Sequence, residues 1–217
     1  MVKVVKFGGS SLADAGQFKK VKSIITSDAA RRFCVPSAPG KRFSTDIKVT
    51  DMLYGCYALA KAEKNFTAEL EAIKARYNEI IEGLGLSTCL DDEFDTIAEN
   101  FKAKAGDDYA ASRGEFLNGI IMADYLGYTF VDAAKYIFFD DNGVFMADET
   151  HEALSAYLST LENAVIPGFY GSYKSSGKVK TFSRGGSDIT GSIVARAISA
   201  DIYENWTDVS GVLIADP

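Results

Sequence analysis

The chain has 217 residues, 47% of them apolar and 24% charged, with a formal net charge of −7. That length can bury a full core as one large α/β domain or two small ones, and the apolar fraction excludes disorder. The acidic balance argues against nucleic acid as the main partner, and no apolar run approaches the roughly 18 residues of a membrane span.

Met1-Val2-Lys3-Val4-Val5-Lys6 does not read as a signal peptide. Cys34, Cys56 and Cys89 are widely spaced, as expected of reduced cytosolic thiols and not of a disulfide set or a zinc site. The single histidine, His151, excludes a histidine triad or multi-histidine metal site and is expected in the first turn of a helix.

Residues 2–7 form an apolar run of strand type that enters Gly8-Gly9-Ser10-Ser11, and a helix follows with Leu12, Phe18, Val21 and Ile25 on one face. This is a strand, an anion-cradling turn and a helix, with Lys6 at the strand's end. A lysine there can act as a point charge on a transferring phosphoryl group. Because the lysine precedes the glycines, the pattern is neither a P-loop nor a dinucleotide fingerprint. A second strand is expected around Phe33-Cys34-Val35, leading into Pro36-Ser37-Ala38-Pro39-Gly40. Residues 41–46 are polar and expected to be flexible.

Val49-Thr50-Asp51 opens a helix through about Lys64, and Phe66, Leu70, Ile73, Tyr77 and Ile80 mark an amphipathic helix after it. Asp91-Asp92-Glu93-Phe94-Asp95 resembles a metal cluster but reads better as the acidic start of a helix, favoured by the dipole. Residues 107–126 form another helix, carrying Ser112-Arg113-Gly114-Glu115. A glycine inside a helix costs about 1 kcal/mol relative to alanine, which points to close approach at Gly114. Glu115, taken alone, reads as a solvated helix charge.

A strand is expected at residues 129–133, and a hairpin joins residues 136–139 to 142–145 across Asp140-Asp141-Asn142-Gly143. Thr150 is placed as the cap of a helix over about 151–162. Residues 164–169 read as a buried strand ending in a turn. Gly171-Ser172-Tyr173-Lys174-Ser175-Ser176-Gly177-Lys178 superficially resembles a P-loop but reads as a hairpin loop. The sequons at Asn65 and Asn205 are chance matches.

The richest stretch lies near the end of the sequence. Residues 179–182 are extended, Arg184-Gly185-Gly186-Ser187-Asp188 forms a glycine turn, and Ile189, Ile193, Ala197 and Ile198 recur at helical spacing with Ser187 as N-cap. Residues 201–206 are extended again, before Thr207-Asp208-Val209-Ser210-Gly211. Two glycines before a helix let backbone N–H groups approach an anion. Arg184 offers a fork for a carboxylate or phosphate, and Asp188 suits a lysine or an amine. Strands alternating with helices predict an α/β fold, with a mostly parallel sheet covered on both faces.

Six motifs in order carry a resemblance to the aspartokinases of the amino acid kinase superfamily. They are Lys6-Phe7-Gly8-Gly9-Ser10-Ser11, Ser37-Ala38-Pro39-Gly40, Ser112-Arg113-Gly114-Glu115, Pro167-Gly168-Phe169, Ser183-Arg184-Gly185-Gly186-Ser187-Asp188 and Trp206-Thr207-Asp208-Val209-Ser210-Gly211-Val212. The resemblance covers essentially the whole chain. It implies a three-layer α/β/α sandwich of amino acid kinase type over residues 1–217, with a helix-rich insertion at about 50–105 serving as a flap or dimer surface. It implies ATP-dependent phosphorylation of the side-chain carboxylate of L-aspartate in a cytoplasmic homo-oligomer, a dimer.

By the same resemblance, Lys6, Phe7, Gly8, Gly9, Ser10, Thr207 and Asp208 serve ATP, with Mg2+ carried by the phosphates. Ser37, Thr50, Glu115, Arg184 and Ser187 serve the substrate: Arg184 takes its α-carboxylate and Glu115 its α-ammonium. Asp188 orients Lys6. Pro36 and Ser183 depart from the usual family pattern. The family also continues beyond a point matching Pro217, with an arginine, further nucleotide-site residues and paired regulatory modules. The resemblance therefore implies a kinase domain incomplete at its C-terminus. Two other readings stand beside it: a related kinase acting on glutamate or acetylglutamate, and a non-catalytic module that binds ligand without turnover.

Overall fold

The computed structural model describes residues 1–183 and 185–207. Its main sheet follows from five runs rich in apolar and β-branched residues: β1 (Lys3–Phe7), β2 (Arg31–Pro36), β3 (Thr129–Phe130), β5 (Ala164–Val165) and β8 (Ile202–Trp206). All the pairings are parallel, in the order β3-β5-β2-β1-β8. β1 lies between β2 and β8, so successive crossovers leave it in opposite directions and open a crevice at its carboxyl end.

Alternation along the strands divides the core into two. Val5, Phe7, Cys34 and Val165 face one apolar cluster, and Val4, Phe33, Val35 and Ile166 face the other. The first cluster is completed by α1 (Ala15–Thr26), α2 (Val49–Lys61), α3 (Thr67–Leu84), α4 (Asp91–Lys102) and α5 (Asp107–Leu126). The second takes α6 (Ala147–Leu158) and α7 (Gly186–Ala197). Period-two strands with both faces covered give the expected α/β/α layering. Residues 50–105 belong to the first layer, since Leu53, Tyr57, Ile73, Tyr77, Phe94 and Phe101 lie in its core.

A smaller sheet holds β4 (Phe138–Phe139), β6 (Tyr170–Tyr173) and β7 (Val179–Thr181), with β4 parallel to β6 and β6 antiparallel to β7. The loop at residues 174–178 is thus a hairpin connection. The hairpin expected over residues 136–145 shrinks to one bridge between Phe139 and Phe145. That bridge is made by Asp140 N–H donating to the Val144 carbonyl and Met146 N–H donating to the Phe138 carbonyl, both at 2.9 Å, and it goes no further because Phe138 N–H donates to the Thr150 hydroxyl at 2.9 Å. Thr150 is therefore not a cap. It lies inside α6, which starts at Ala147, and His151 consequently falls just past the first turn.

α4 begins at Asp91 with three acidic residues in its first turn, and Asp91 pairs with Lys74 at 2.6 Å. α7 begins at Gly186 behind Gly185, whose φ of 74° suits glycine. Ser187 is consequently in the first turn and not at the N-cap. All three cysteines are free, Cys34 and Cys56 being buried. Among the described residues no helix is long and apolar enough to cross a membrane.

Candidate active site

The carboxyl ends of three strands are level, because Phe7 is in register with Pro36 on one side and Trp206 on the other. The chain therefore leaves the same edge of the sheet at residues 8–12, at residues 37–40 and at Thr207. Phe7 stacks on Trp206 with ring centroids 6.1 Å apart, and Gly8 N–H points to the Trp206 carbonyl at 3.4 Å. Gly9 opens a 3-10 turn (Gly9–Leu12) that crosses Gly40 backbone to backbone, with Gly40 N–H donating to the Gly9 carbonyl at 2.8 Å. A Cβ on Gly40 would sit 2.5 Å from the Gly9 carbonyl carbon. Only glycine permits that crossing.

The crossing forms one wall of a cavity of about 590 Å³ lined by Gly9, Ser10, Ser37, Thr50 and Glu115, with Lys41 and Lys48 at its rim. Glu115 reaches it from α5, a helix buried on nearly every side. Gly114 makes this possible, since a Cβ there would meet Ala38 Cβ at 2.8 Å. Glu115 is only 6% exposed, and among the described residues its Oε2 has no hydrogen-bond partner. Burial raises its carboxyl to about 8, and the backbone N–H groups of Ala38 and of Glu115 itself pull only partly the other way. An unpaired buried carboxylate facing a cavity is a receptor for a cation.

The reading of Glu115 as a solvated charge is therefore corrected. Its neighbour Arg113, two residues away on a helix and thus on another face, points away from the cavity. It lies over the rings of Tyr109, Phe116 and Tyr170 at 4.7, 4.3 and 5.5 Å.

On the other side of β1, Lys6 Nζ stands 2.7 Å from Asp188 Oδ1 in the first turn of α7. The two form an ion pair, and among the described residues Asp188 Oδ1 has no hydrogen-bond partner. Ser187 packs against the turn after β5, because a Cβ on Gly168 would lie 2.7 Å from Ser187 Cβ. Phe169 follows with φ of 79°, unusual for a residue with a side chain. Its N–H donates to Thr190 Oγ1 at 3.0 Å and its carbonyl accepts from Phe182 N–H at 2.8 Å, and these bonds hold the conformation in place.

The sequence pattern of the amino acid kinase family matches residues 1–217. This chain belongs to that family. It is 39% identical to aspartokinase 3 of Bacillus subtilis, over all of this chain and 50% of the relative. Among solved structures it is similar to the aspartate kinase of Clostridium acetobutylicum, with a TM-score of 0.94 and 52% identity over all of this chain and 50% of that one. Aspartokinase III of Escherichia coli, in complex with aspartate and ADP, superposes with a TM-score of 0.80 at 25% identity, covering 97% of this chain and 50% of that one. The chain thus spans about half the length of these relatives.

The residues expected to serve the site fall into two groups. Gly9, Ser10, Ser37, Thr50 and Glu115 share the cavity, while Lys6 and Asp188 meet beside it, with Ser187 on the same helix turn as Asp188. Phe7 is buried beneath Trp206, and Thr207 follows β8 directly. Arg184 and Asp208 lie outside the described residues.

Sequence reasoning missed Asn118, which is fully buried and whose Nδ2 donates to the Ser37 carbonyl at 2.6 Å. Its i+3 spacing from Glu115 was the available signal. It also missed the ties on residues 41–46, which were expected to be flexible. The Arg42 side chain donates to both Asp46 oxygens, at 2.9 and 3.1 Å, and to Glu79 at 2.9 Å.

Proposed function

We propose that this amino acid kinase transfers the γ-phosphoryl group of ATP to the side-chain carboxylate of L-aspartate, giving 4-phospho-L-aspartate, the first step towards lysine, threonine and methionine. One observation carries the choice of acceptor: the buried Oε2 of Glu115, unpaired among the described residues, in the wall of a cavity bounded by a glycine turn. A carboxylate held near 8 by burial gains most from an arriving cation, and the α-ammonium of a free amino acid supplies one. The names of the relatives agree with that choice.

The acceptor carboxylate is ionised near neutral pH, so no general base is required. The reaction instead needs two anions brought into line with their repulsion offset. Lys6 neutralises charge on the phosphates, while Gly8, Gly9 and Ser10 present backbone and hydroxyl donors to them. Asp188 holds Lys6 in place. Ser37 and Thr50 place the acceptor, Ser187 acts from the first turn of α7, and Arg184 takes the α-carboxylate. Phe7 supports the turn from below, and Thr207 and Asp208 serve the nucleotide.

Among the described residues no group of three or more His, Cys, Asp and Glu side chains converges on one point. The reading includes a Mg2+ ion carried by the ATP phosphates, where it would supply charge neutralisation. The reading includes a cytoplasmic homodimer, with residues 50–105 as the helix-rich insertion.

The test incubates the full-length protein with MgATP and hydroxylamine and compares acyl-hydroxamate formed from L-aspartate, L-glutamate and acetylglutamate. Aspartate alone is expected to give product. Preference for acetylglutamate, which has no ammonium, would overturn the role given to Glu115 and the choice of substrate with it. Nucleotide binding without any product would favour the non-catalytic reading.

A further inference from the structure

α3 sends two neighbouring side chains to backbone carbonyls at or next to residues that line the cavity. Tyr77 Oη donates at 2.7 Å to the carbonyl of Gly114, the residue before Glu115. Arg76, only 3% exposed, turns to the segment that starts at Gly40. Its Nη2 donates to the Gly40 carbonyl, and its Nη1 donates to the Ile47 carbonyl at 2.6 Å and lies 3.2 Å from Asp46 Oδ2. One guanidinium thus joins both ends of the segment that carries Lys41, Phe43, Ser44 and Lys48 to the cavity rim.

The same Asp46 carboxylate accepts from the backbone N–H of Arg42 at 2.9 Å, as well as from its side chain. Gly40, whose carbonyl Arg76 holds, is the residue that crosses Gly9. The chain of contact therefore runs from Arg76 through Gly40 to the glycine turn, with one residue between the guanidinium and the turn.

A buried cation is costly to keep out of water, and among the described residues Arg76 Nε has no hydrogen-bond partner. Apolar contact would hold α3 in the layer as well, as Ile73, Tyr77 and Ile80 already do. What the guanidinium adds is geometry: a planar fork fixes two carbonyls and a carboxylate at once.

We propose that Arg76 is a positioning residue for phosphoryl transfer, clamping residues 40–48 so that Gly40 sets the glycine turn and the rim faces the acceptor. The kinetic half of this inference rests on the function proposed above; the clamp itself does not. Arg76→Lys retains the charge but cannot span both carbonyls.

In the full-length protein, two quantities are read for Arg76→Lys against wild type and against Phe101→Leu, a core change within the α2–α4 packing. The first is amide hydrogen exchange, in which Gly40 and residues 9–11 should exchange at least about tenfold faster in Arg76→Lys alone, as expected of a local opening. The second is the KM for L-aspartate, which should rise about tenfold or more with a smaller change in kcat, as expected when a wall of the site is misplaced.

Unchanged exchange at Gly40 overturns the clamp. Faster exchange with a KM no higher than that of Phe101→Leu overturns the positioning role and leaves a stabilising one. If Arg76→Lys does not fold, Asp46→Asn is read in the same two ways, and wild-type values in it overturn the inference. A wild-type protein inactive on aspartate defeats the substrate assignment, while the exchange data still decide the clamp.

Discussion

Lys6 Nζ and Asp188 Oδ1 lie 2.7 Å apart, joining the end of the central strand β1 to the first turn of α7. The two sides of the pair are unequal: the lysine side chain is 10% exposed and the aspartate 45%. Solvent therefore screens the carboxylate, and the pair contributes modestly to stability, about 1 kcal/mol. Its value lies in fixing a cation beside Gly8, where a Cβ would be 3.8 Å from Lys6 Nζ.

Lys6→Met is expected to lower kcat by roughly 10²–10³ while shifting Tm only a few degrees, since it removes charge aimed at the transition state. Asp188→Asn should lower kcat less, about tenfold, because the lysine remains. Hydroxamate assays alongside thermal melts measure both. A larger loss in Asp188→Asn than in Lys6→Met would make the carboxylate the primary group and reverse the roles assigned here.

Glu115 gives the protein a pH dependence whose sign is fixed. Its carboxyl ordinarily titrates near 4.5 and is raised by burial to about 8 in the fold. Between those values the native state holds a proton that the unfolded chain has lost, so this group's contribution to stability falls as pH rises from 4.5 through 8. Glu115→Gln lacks that slope. The variant should match wild type at about pH 4 and exceed it by a few kcal/mol at about pH 8.5. Urea midpoints across that range measure the difference, and parallel curves for the two proteins would refute the buried-acid assignment.

The same variant should lose aspartate binding, and wild-type binding near neutral pH should release about one proton as the ammonium ionises Glu115. Calorimetry in buffers of different ionisation enthalpy reads that proton directly.

How much of this was legible depends on where the determining partners lie in the chain. The β1 turn could be read because strand, lysine and paired glycines are contiguous, and the same holds for Gly185-Gly186 before α7. Gly114 flagged a close approach, and the structure supplies the partner, Ala38. The burial of Glu115 was not legible. A helix enclosed on all sides loses the apolar–polar stripe that tells inward from outward positions, and α5 is such a helix.

The Arg76 clamp was also invisible, because Gly40, Asp46 and Ile47 lie about thirty residues before the arginine and no spacing rule links them. The hairpin over residues 136–145 failed for a different reason. Asp140-Asp141-Asn142-Gly143 does make a turn, with Gly143 N–H donating to the Asp140 carbonyl at 2.9 Å. Pairing nonetheless stops at the Phe139–Phe145 bridge, because Phe138 N–H goes to the Thr150 hydroxyl, and β4 finds its strand partner in β6.

Arg113 offers a last test, of stability in this case. The residue is 7% exposed, and among the described residues it pairs with no carboxylate. Nε and Nη2 donate to Ser112 Oγ at 3.1 and 3.0 Å, and three aromatic rings surround the plane. A flat, weakly hydrated cation tolerates that setting, whereas a compact ammonium cannot stack and loses its water. Arg113→Lys should therefore cost about 2–3 kcal/mol, more than Arg113→Met, which removes the charge together with the need to solvate it. Urea denaturation at constant m-value decides the order. If the lysine variant proves as stable as wild type, charge alone satisfies the site and the stacking geometry contributes nothing; if methionine costs more than lysine, the rings are holding the arginine chiefly through its charge.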